Sequence, residues 1–405
     1  MAAPAGPGAA GSLSCLAMPV RATKRGAART PLARDCDVLV CGASFAGLAV
    51  ARELAGSGAR VLVIDRYEIG DKQTSACGIP TSWLQALELT EALRQTFGEL
   101  VIHTSYATVR YDLPFTFSTF DYPALCGLLA DRLPPTEFKF ETATVTGRTG
   151  DTVRTDRGEI RAPLVVDALG WRRVLGTGEP IQPPDAYLSR GLEVHPHGSG
   201  ADLEIWIDRA IIPAGYGWSF PAHDEVRVGV GSFRPADHVK EPTVALTRGL
   251  HREPVGYQGN WIPHRFREAT QDGVFFVGDS AGHCLPLTAE GIRTALYFGI
   301  ACGRELRKTI AGQQSKAAAE TSYATFHAAH RWKFECMLRA QQLVPRVPPR
   351  LLTPALKAIG RGRFVHWSFD HYLAIAHPDF AGRPLATGSG SLGRQPIGAD
   401  AALHR

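Results

Sequence analysis

Residues 278–292 read GDSAGHCLPLTAEGI, and this stretch decides the fold. The apolar residues 274–277 before it predict a buried strand, and residues 293–307 after it predict a helix. Asp279 then lies at the carboxyl end of a strand, where its carboxylate can accept hydrogen bonds from sugar-type hydroxyls. A helix that begins near Gly291 presents free N–H groups and the positive end of its dipole. This order of strand, acidic turn, loop and helix predicts a crevice for a ligand with hydroxyls and an anionic edge.

A second motif near the amino terminus has the order of a βαβ unit. Residues 37–41 (DVLVC) and 60–64 (RVLVI) predict two parallel strands, and residues 48–55 predict the helix between them. Gly42 permits the tight turn after the first strand, and Gly47 lets the helix pack against that strand. Asp65 follows about 20 residues further on, which is the spacing of an acid that binds an adenosine ribose. Ser44 replaces the middle glycine of the dinucleotide fingerprint, so this motif is imperfect.

The remaining patterns place further strands and helices around these two motifs. A buried strand is predicted at residues 163–169 and ends in Asp167-Ala168-Leu169-Gly170. A helix is predicted at 123–132, and the other predicted strands are 105–120, the hairpin segments 138–147 and 152–161, and 203–207, 211–213, 218–221 and 226–231. The last four predict an antiparallel sheet inserted between two parts of a nucleotide-binding domain. The expected segments are a disordered leader (1–34), the first part of that domain with a β-hairpin insertion (35–185), the inserted sheet (186–265), the second part (266–310), C-terminal helices (311–381) and a disordered tail (382–405).

Composition excludes several classes of protein. The chain has 405 residues and a net charge of +5, too small to indicate nucleic-acid binding without a matching motif. Its eight cysteines form no CxxC pair and no Cys/His spacing typical of a metal site, so no metal is predicted. Since no apolar run reaches about 18 residues, no membrane-spanning helix is expected. The expected location is the cytoplasm, with peripheral membrane contact as an alternative; an organellar transit peptide at residues 1–34, or a start at Met18, also stays open.

Taken together, the three separated motifs resemble the FAD-dependent oxidoreductases of the aromatic-hydroxylase type. The sequence is most similar to the geranylgeranyl reductase family within that group. Tyr216-Gly217-Trp218-Ser219-Phe220-Pro221 resembles the family's Tyr-x-Trp-x-Phe-Pro signature, and Ala289-Glu290-Gly291 replaces the hydroxylases' Gly-Gln-Gly. Cys77-Gly78 matches a Cys-Gly pair beside the flavin. The implied fold is α/β: a Rossmann-like FAD-binding domain of the glutathione reductase and p-hydroxybenzoate hydroxylase type, with an inserted antiparallel substrate sheet and a C-terminal helical region.

The resemblance also implies site residues. FAD would contact the two glycine turns, the acids and the start of the helix: Gly42, Ser44, Ala46, Gly47, Asp65, Arg66, Asp167, Gly170, Gly278, Asp279, Gly282, Pro286, Glu290, Gly291 and Ile292. An apolar substrate would contact Cys77, Gly78, Tyr216, Trp218 and Phe220. Cys77 and His283 are the candidate catalytic residues. Tyr122 stands where relatives carry an arginine for the pyrophosphate, and Arg66 or Arg132 is the candidate replacement.

The implied reaction is reduction of C=C bonds in an isoprenoid by hydride transfer from N5 of reduced flavin. NAD(P)H or a redox protein would supply electrons, because no second nucleotide fingerprint is visible. The basic and apolar residues 331–363 indicate either a membrane-surface patch for a lipid substrate or a solvated basic face. Two other reactions stay open, a monooxygenase or epoxidase acting on a secondary metabolite and a non-redox flavin-dependent cyclase.

Overall fold

The computed structural model describes residues 32, 34–73, 75–177, 188–360 and 362–382. Nearly all of the predicted tail and of the predicted leader lies outside these residues, and Gly382, the first residue of the predicted tail, ends a helix. The seventeen strands of the described chain are β1 (Val38–Cys41), β2 (Val61–Asp65), β3 (Gly78–Pro80), β4 (Leu93–Thr104), β5 (Thr108–Phe120), β6 (Phe138–Thr142), β7 (Val145–Thr149), β8 (Thr152–Thr155), β9 (Gly158–Arg161), β10 (Leu164–Asp167), β11 (Leu188–Val194), β12 (Leu203–Ile207), β13 (Gly215–Ala222), β14 (Glu225–Ser232), β15 (Gln258–Pro263), β16 (Thr270–Gln271) and β17 (Val274–Phe276).

Helices lie between the strands and make up the carboxyl-terminal part of the described chain. The ten α-helices of the described residues are α1 (Phe45–Leu54), α2 (Thr81–Ala86), α3 (Tyr122–Asp131), α4 (Lys240–Gly249), α5 (Ile292–Ile310), α6 (Lys316–Ala328), α7 (Arg331–Leu343), α8 (Pro349–Ile359), α9 (Arg363–Leu373) and α10 (Asp379–Gly382). Among the described residues, no helix combines the length and apolar character needed to span a bilayer.

The central sheet has six strands in the order β16-β17-β10-β1-β2-β6. All pairs are parallel except β16–β17. Strands β1 and β10 are buried on both faces, as expected for a parallel sheet between helices. The predicted βαβ unit is confirmed, but β6 was predicted to belong to a hairpin and instead pairs with β2. The carboxyl ends of β1, β2, β10 and β17 meet at one edge, which is where ligands bind in open α/β sheets.

A second sheet has eight strands in the order β15-β11-β14-β13-β12-β4-β5-β3. Three of its strands, β3, β4 and β5, come from the first part of the chain, and β4 pairs with β12 in parallel. The inserted sheet is therefore not wholly antiparallel. Residues 211–213 were wrongly predicted as a strand, because they form a turn that leads into β13. The predicted segment boundaries themselves stay a prediction.

The second sheet curls back on itself at one end. Thr119 at the end of β5 donates its hydroxyl proton to the carbonyl of Pro221 on β13, at 2.7 Å. These two strands are not neighbours in the sheet order. The curled end lies beside β3 and the Cys77 turn, which brings both sheets close to the same crevice.

Helices α1 and α5 pack in close contact over the central sheet. A Cβ at Gly299 would lie 2.6 Å from the carbonyl oxygen of Ala46, and one at Gly303 would lie 2.6 Å from the Cβ of Glu53. Both glycines therefore allow the backbones to approach, as their four-residue spacing predicts. This contact fixes the start of α5 relative to the glycine turn before α1.

Candidate functional site

The turn between β1 and α1 requires glycine at two positions. Gly42 has a φ of +115°, and a Cβ there would lie 2.2 Å from the carbonyl oxygen of Ala168. A Cβ at Gly47 would lie 1.9 Å from the carbonyl oxygen of Gly42. Each contact is far shorter than real Cβ atoms show, so both glycines are sterically required. The turn thus brings the start of α1 to the carboxyl edge of the sheet.

Asp65 braces this turn from the neighbouring strand. Its Oδ2 accepts from the N–H of Ala43 at 2.9 Å, and its Oδ1 accepts from the N–H of Tyr67 at 3.0 Å. The carboxylate is thereby held at the strand end, where a ribose would be bound. Arg66 is exposed, and its guanidinium lies 4.8 Å from the centre of the Tyr67 ring.

The two departures from the FAD pattern contact each other. The hydroxyls of Ser44 and Tyr122 share a hydrogen bond of 3.0 Å, which joins the starts of α1 and α3. Tyr122 is buried against the ring of Phe45. Arg132 cannot replace the missing arginine in this arrangement, because its guanidinium donates to the carbonyls of Leu87 and Glu88.

Asp167 acts as an internal brace. It is fully buried and accepts from the N–H of Leu169 at 2.9 Å, the N–H of Leu175 at 2.8 Å and the hydroxyl of Ser280 at 2.6 Å. We therefore correct its predicted direct contact with a cofactor: the carboxylate instead ties β10 to the turn after β17. Gly170 follows with a φ of +82° and open space where a Cβ would stand.

Asp279 has the opposite surroundings. No side-chain hydrogen bond reaches its carboxylate from the described residues. Its Oδ1 lies 3.7 Å from where a Cβ of Gly291 would stand, so it faces the start of α5. Burial raises the pKa of Asp279 to about 6, against the attraction of Arg267. A partly buried carboxylate that lacks a protein donor is suited to accept from a ligand hydroxyl.

The first turn of α5 supplies donors at the same place. Gly291 caps the helix, and the N–H groups of Ile292 and Arg293 meet no acceptor among the described residues. Gly278 closes the other side with a φ of +62°, and a Cβ there would lie 2.9 Å from the Cβ of Ala46. The acid, the helix start and the glycine turns thus converge, as the sequence predicted.

The loop before α5 is held in an unusual shape. Leu287 and Ala289 have positive φ values of 70° and 53°, and Pro286 is buried. Gly282 ends the preceding turn. A Cβ at this position would lie 2.0 Å from the carbonyl oxygen of Arg265. Glycine is therefore sterically required at position 282.

Glu290 and Arg293 form a buried pair that sequence reasoning missed. The carboxylate accepts from Nε of Arg293 at 2.6 Å and from Nη2 at 2.9 Å, and Arg293 also donates to the carbonyls of Tyr372, Leu373 and Ala376. The hydroxyl of Tyr372 donates to Glu290. This group, which we call the clasp, fastens the start of α5 to the end of α9. Glu290 therefore supports the helix start from behind.

The prediction that His283 is a catalytic residue does not fit its surroundings. His283 is fully buried, its ring stacks on Phe298 at 3.9 Å between ring centres, and its Nδ1 accepts from the N–H of Gly278 at 3.0 Å. Burial lowers the pKa of His283 well below its ordinary value. The ring is thus a neutral part of an aromatic core with Phe266 and His327, and we no longer assign it proton transfer.

Cys77 occupies a strained turn in the core. Its φ is +55°, it is fully buried beside Phe45 and Tyr122, and its thiol donates to the carbonyl of Ser75 at 3.1 Å. Burial raises the pKa of Cys77 well above its ordinary value, so the group stays a thiol. Gly78 is sterically required, since a Cβ there would lie 2.5 Å from the ring of Phe117.

Three of the five predicted substrate residues share one face of β13. Alternation along the strand places Tyr216, Trp218 and Phe220 together, opposite the face that packs on α4 through Gly217. A Cβ at Gly229 would lie 2.2 Å from the Trp218 ring, so that ring lies flat against glycine backbone. The hydroxyl of Tyr216 donates to the carbonyl of Thr288, at 2.7 Å. This face therefore touches the loop that leads to α5.

A charged group on the same face was not found from sequence. Glu193 accepts from the indole N–H of Trp218 at 3.3 Å and pairs with Nε2 of His195 at 3.0 Å. Nδ1 of His195 lies 3.6 Å from Glu225, whose carboxylate accepts from Nη2 of Arg227 at 2.8 Å. We call these four residues the charge network. The sequence pattern that could have revealed the network is alternation along two strands: Glu193 and His195 are two residues apart, and so are Glu225 and Arg227.

The charge network predicts a pH dependence of stability. Burial opposes the charge on His195, but pairing with Glu193 and Glu225 outweighs it and raises the pKa of His195 from 6.5 to about 9. The stabilisation is therefore complete below pH 6.5 and is lost as the pH rises through about 9. We expect the free energy of unfolding of the native protein to fall across this range more steeply than that of His195→Gln. Urea unfolding of both proteins measures this, and parallel curves would contradict it.

Comparison with solved structures defines the class first. A geranylgeranyl bacteriochlorophyll reductase-like protein of Thermoplasma acidophilum matches with a TM-score of 0.73 and 16% identity, over 86% of this chain and 98% of that protein. A probable FAD-dependent monooxygenase of Pseudomonas aeruginosa matches with a TM-score of 0.55 and 17% identity, over 83% of this chain and all of that protein. The predicted fold class is thus confirmed: the chain has the fold of the FAD-dependent oxidoreductases.

Sequence comparison then indicates which group of these oxidoreductases the chain resembles. The chain is 26% identical to digeranylgeranylglycerophospholipid reductase 3 of Methanosphaera stadtmanae over 341 residues, which cover 74% of this chain and 84% of that protein. No protein-family profile matches the chain. The predicted resemblance to the geranylgeranyl reductase family is confirmed, and the predictions of an oxidoreductase and of FAD agree with these findings.

Proposed function

We propose that this protein is an FAD-dependent reductase of C=C bonds in an isoprenoid chain. The observation that carries this proposal is the convergence of Asp279, whose carboxylate has no hydrogen-bond donor among the described residues, with the start of α5 and the glycine turn at Gly42, beside an aromatic sheet face. Similarity to digeranylgeranylglycerophospholipid reductases supports the isoprenoid as substrate.

The residues present fit FAD. Asp279 would accept from the hydroxyls of the ribityl chain, Asp65 would bind the adenosine ribose, and the N–H groups of Ile292 and Arg293 would face the anionic edge of the ring. The turn at Gly42 and the start of α1 leave the pyrophosphate to backbone donors and to the Ser44–Tyr122 pair. Bound there, FAD would supply the hydride that reduces the alkene.

The chain itself must hold the alkene and deliver a proton. Tyr216, Trp218 and Phe220 would form one wall of an apolar cavity, which keeps water from the reacting bond. Cys77 is the candidate proton donor to the alkene carbon that does not receive the hydride. Its raised pKa means that the sulfur carries a proton to donate. NAD(P)H or a redox protein would provide the electrons.

Product mass tests the proposed function directly. The purified protein, reconstituted with FAD and reduced with dithionite, is incubated with an archaeal-type geranylgeranyl lipid. We expect a gain of two hydrogens for each reduced bond. A gain of one oxygen when air is admitted would instead establish a monooxygenase, and an isomer of unchanged mass would establish a cyclase. The monooxygenase is the second candidate because a probable FAD-dependent monooxygenase shares the fold.

We further propose that a lipid substrate is met at a membrane surface through α8 and α9. Phe364 and Trp367 are 49% and 54% exposed, and their rings stack with centres 5.5 Å apart. Leu351 is 63% exposed. Exposed cations stand near them in the sequence, at Arg346, Arg350, Lys357 and Arg363. Exposed aromatic residues with adjacent cations fit an anionic lipid surface.

This membrane patch can be tested with vesicles. We expect the double variant Phe364→Ser/Trp367→Ser to bind vesicles of phosphatidylglycerol at least about tenfold more weakly, because each aromatic ring contributes about 1 kcal/mol or more when it enters the interface. Tyr257→Ser is the matched control, since Tyr257 is 46% exposed on another part of the surface. Equal binding of the native protein and the double variant, measured by co-sedimentation, would refute the patch.

A further inference from the structure

Two of the four residues of the charge network are buried on the face that we assign to the substrate, and the other two are partly exposed. Glu193 is 4% exposed and Arg227 is 2% exposed, and both lie on the sheet face that carries Trp218 and Phe220. Burial of charged groups is costly unless they pair, so each member depends on the next. The proposed reaction uses none of the four residues as a reactant.

Arg227 links this network to the turn that carries Cys77. Its Nη1 donates to the carbonyl of Ala76 at 3.0 Å and to that of Phe120 at 2.9 Å, while Nε and Nη2 both donate to Glu225. Ala76 directly precedes Cys77, and the carbonyl of Cys77 accepts from the N–H of Phe120 at 3.1 Å. The guanidinium therefore spans both backbone segments that define the Cys77 turn.

The other end of the network holds Trp218. Glu193 uses one carboxylate oxygen for the indole N–H and the other for His195. His195 lies between the buried Glu193 and the partly exposed Glu225, and as a cation it offsets one of these two carboxylates. Four charges of alternating sign thus run without interruption from Trp218 to the Cys77 turn.

We propose that Glu193, His195, Glu225 and Arg227 form one positioning unit, which fixes the Cys77 turn and the Trp218 ring relative to each other across the substrate face. The part that concerns catalysis rests on the proposed function, and the part that concerns the turn does not. A residue with a φ of +55° is strained unless its surroundings hold it, and Arg227 provides the hold. Arg227 is thus a positioning residue for Cys77.

Hydrogen exchange tests the positioning unit without any substrate. In the FAD-loaded protein, Arg227→Met is expected to accelerate amide exchange at residues 76–80 at least about tenfold, since lost carbonyl contacts lower the cost of local opening. The peptides of β1 and α1 should be unchanged. Arg234→Met is the matched control, because Arg234 is an exposed arginine that follows the same strand. Unchanged exchange at residues 76–80 in Arg227→Met would overturn the proposal whatever the reaction is.

Kinetics then separate positioning from general destabilisation. We expect Arg227→Met to lower kcat for C=C reduction at least about tenfold with KM and FAD affinity unchanged, and Arg227→Lys to restore part of the loss. If Arg227→Met fails to fold, His195→Gln supplies the test, with smaller effects of the same sign at residues 76–80 and on kcat. Loss of FAD affinity in step with kcat would contradict positioning. Faster exchange in a protein that reduces no alkene would uphold the unit and refute the proposed function.

Discussion

Asp279→Ala is expected to weaken FAD binding at least about 100-fold. Hydrogen bonds to a charged group contribute about 1.5–3 kcal/mol each, and the carboxylate is placed to accept two from adjacent hydroxyls. The side chain has no hydrogen-bond partner among the described residues, so its removal leaves no orphaned protein group. The folded state should therefore survive while the flavin is lost. Fluorescence titration of the apoprotein with FAD measures the affinity.

Two comparisons make this result specific. Asp279→Asn keeps the shape and one acceptor and should lose about tenfold in affinity. Asp131→Ala removes an exposed acid at the end of α3 and should bind FAD like the native protein. Because the pKa of Asp279 is raised to about 6, native affinity should fall as the pH drops below 6, and that of Asp279→Asn should not. Native affinity in Asp279→Ala would remove Asp279 from the site.

The second large effect is expected from Gly42→Ala, which should lower the free energy of unfolding by about 3 kcal/mol or more. Two causes add. The φ of +115° disfavours any side chain, and the new Cβ would stand 2.2 Å from the carbonyl oxygen of Ala168. Relief requires that the β1–α1 turn move away from β10. Urea unfolding of the apoprotein measures the loss.

Gly158→Ala separates these two causes. Gly158 has nearly the same φ, +114°, but no atom lies within 4 Å of the position its Cβ would take. This variant should therefore lose only the backbone term, about 1–2 kcal/mol. If both variants lose the same amount, the contact with Ala168 has no energetic weight, and the close approach of the two strands is not what requires glycine.

Local patterns were enough to predict the elements that frame the candidate site. Apolar periodicity reveals elements whose residues contact neighbours a few positions away, such as the strand at Val38–Cys41 and the helix at Ile292–Ile310. The glycine turns next to these elements are found from the same local patterns. The pairing of β4 with β12 joins segments about a hundred residues apart, and no local pattern encodes it. The curl of the second sheet was hidden for the same reason.

Burial of polar residues was the main source of error in the site. Asp167 ends a strand and His283 follows one, in motifs that are typical of ligand sites. Sequence alone does not show that the His283 ring stacks on Phe298 or that the Asp167 carboxylate accepts from the N–H of Leu175. Arg293 is a charged residue in the first turn of a predicted helix, yet it is fully buried in the clasp. Ser44 and Tyr122 depart from the FAD pattern at two separate positions of the sequence, but in the fold their hydroxyls share one hydrogen bond. Partners distant in the chain decide the role of a polar side chain.

The clasp has a mechanical consequence. Arg293 grips three carbonyls at the end of α9, and Trp83 donates its indole N–H to one of the same carbonyls, that of Ala376, at 3.0 Å. The first turn of α5 cannot shift while α9 stays in place. The hydrogen bonds of the clasp therefore couple α9, which presents Phe364 and Trp367, to the N–H groups at the start of α5 that we propose face the flavin.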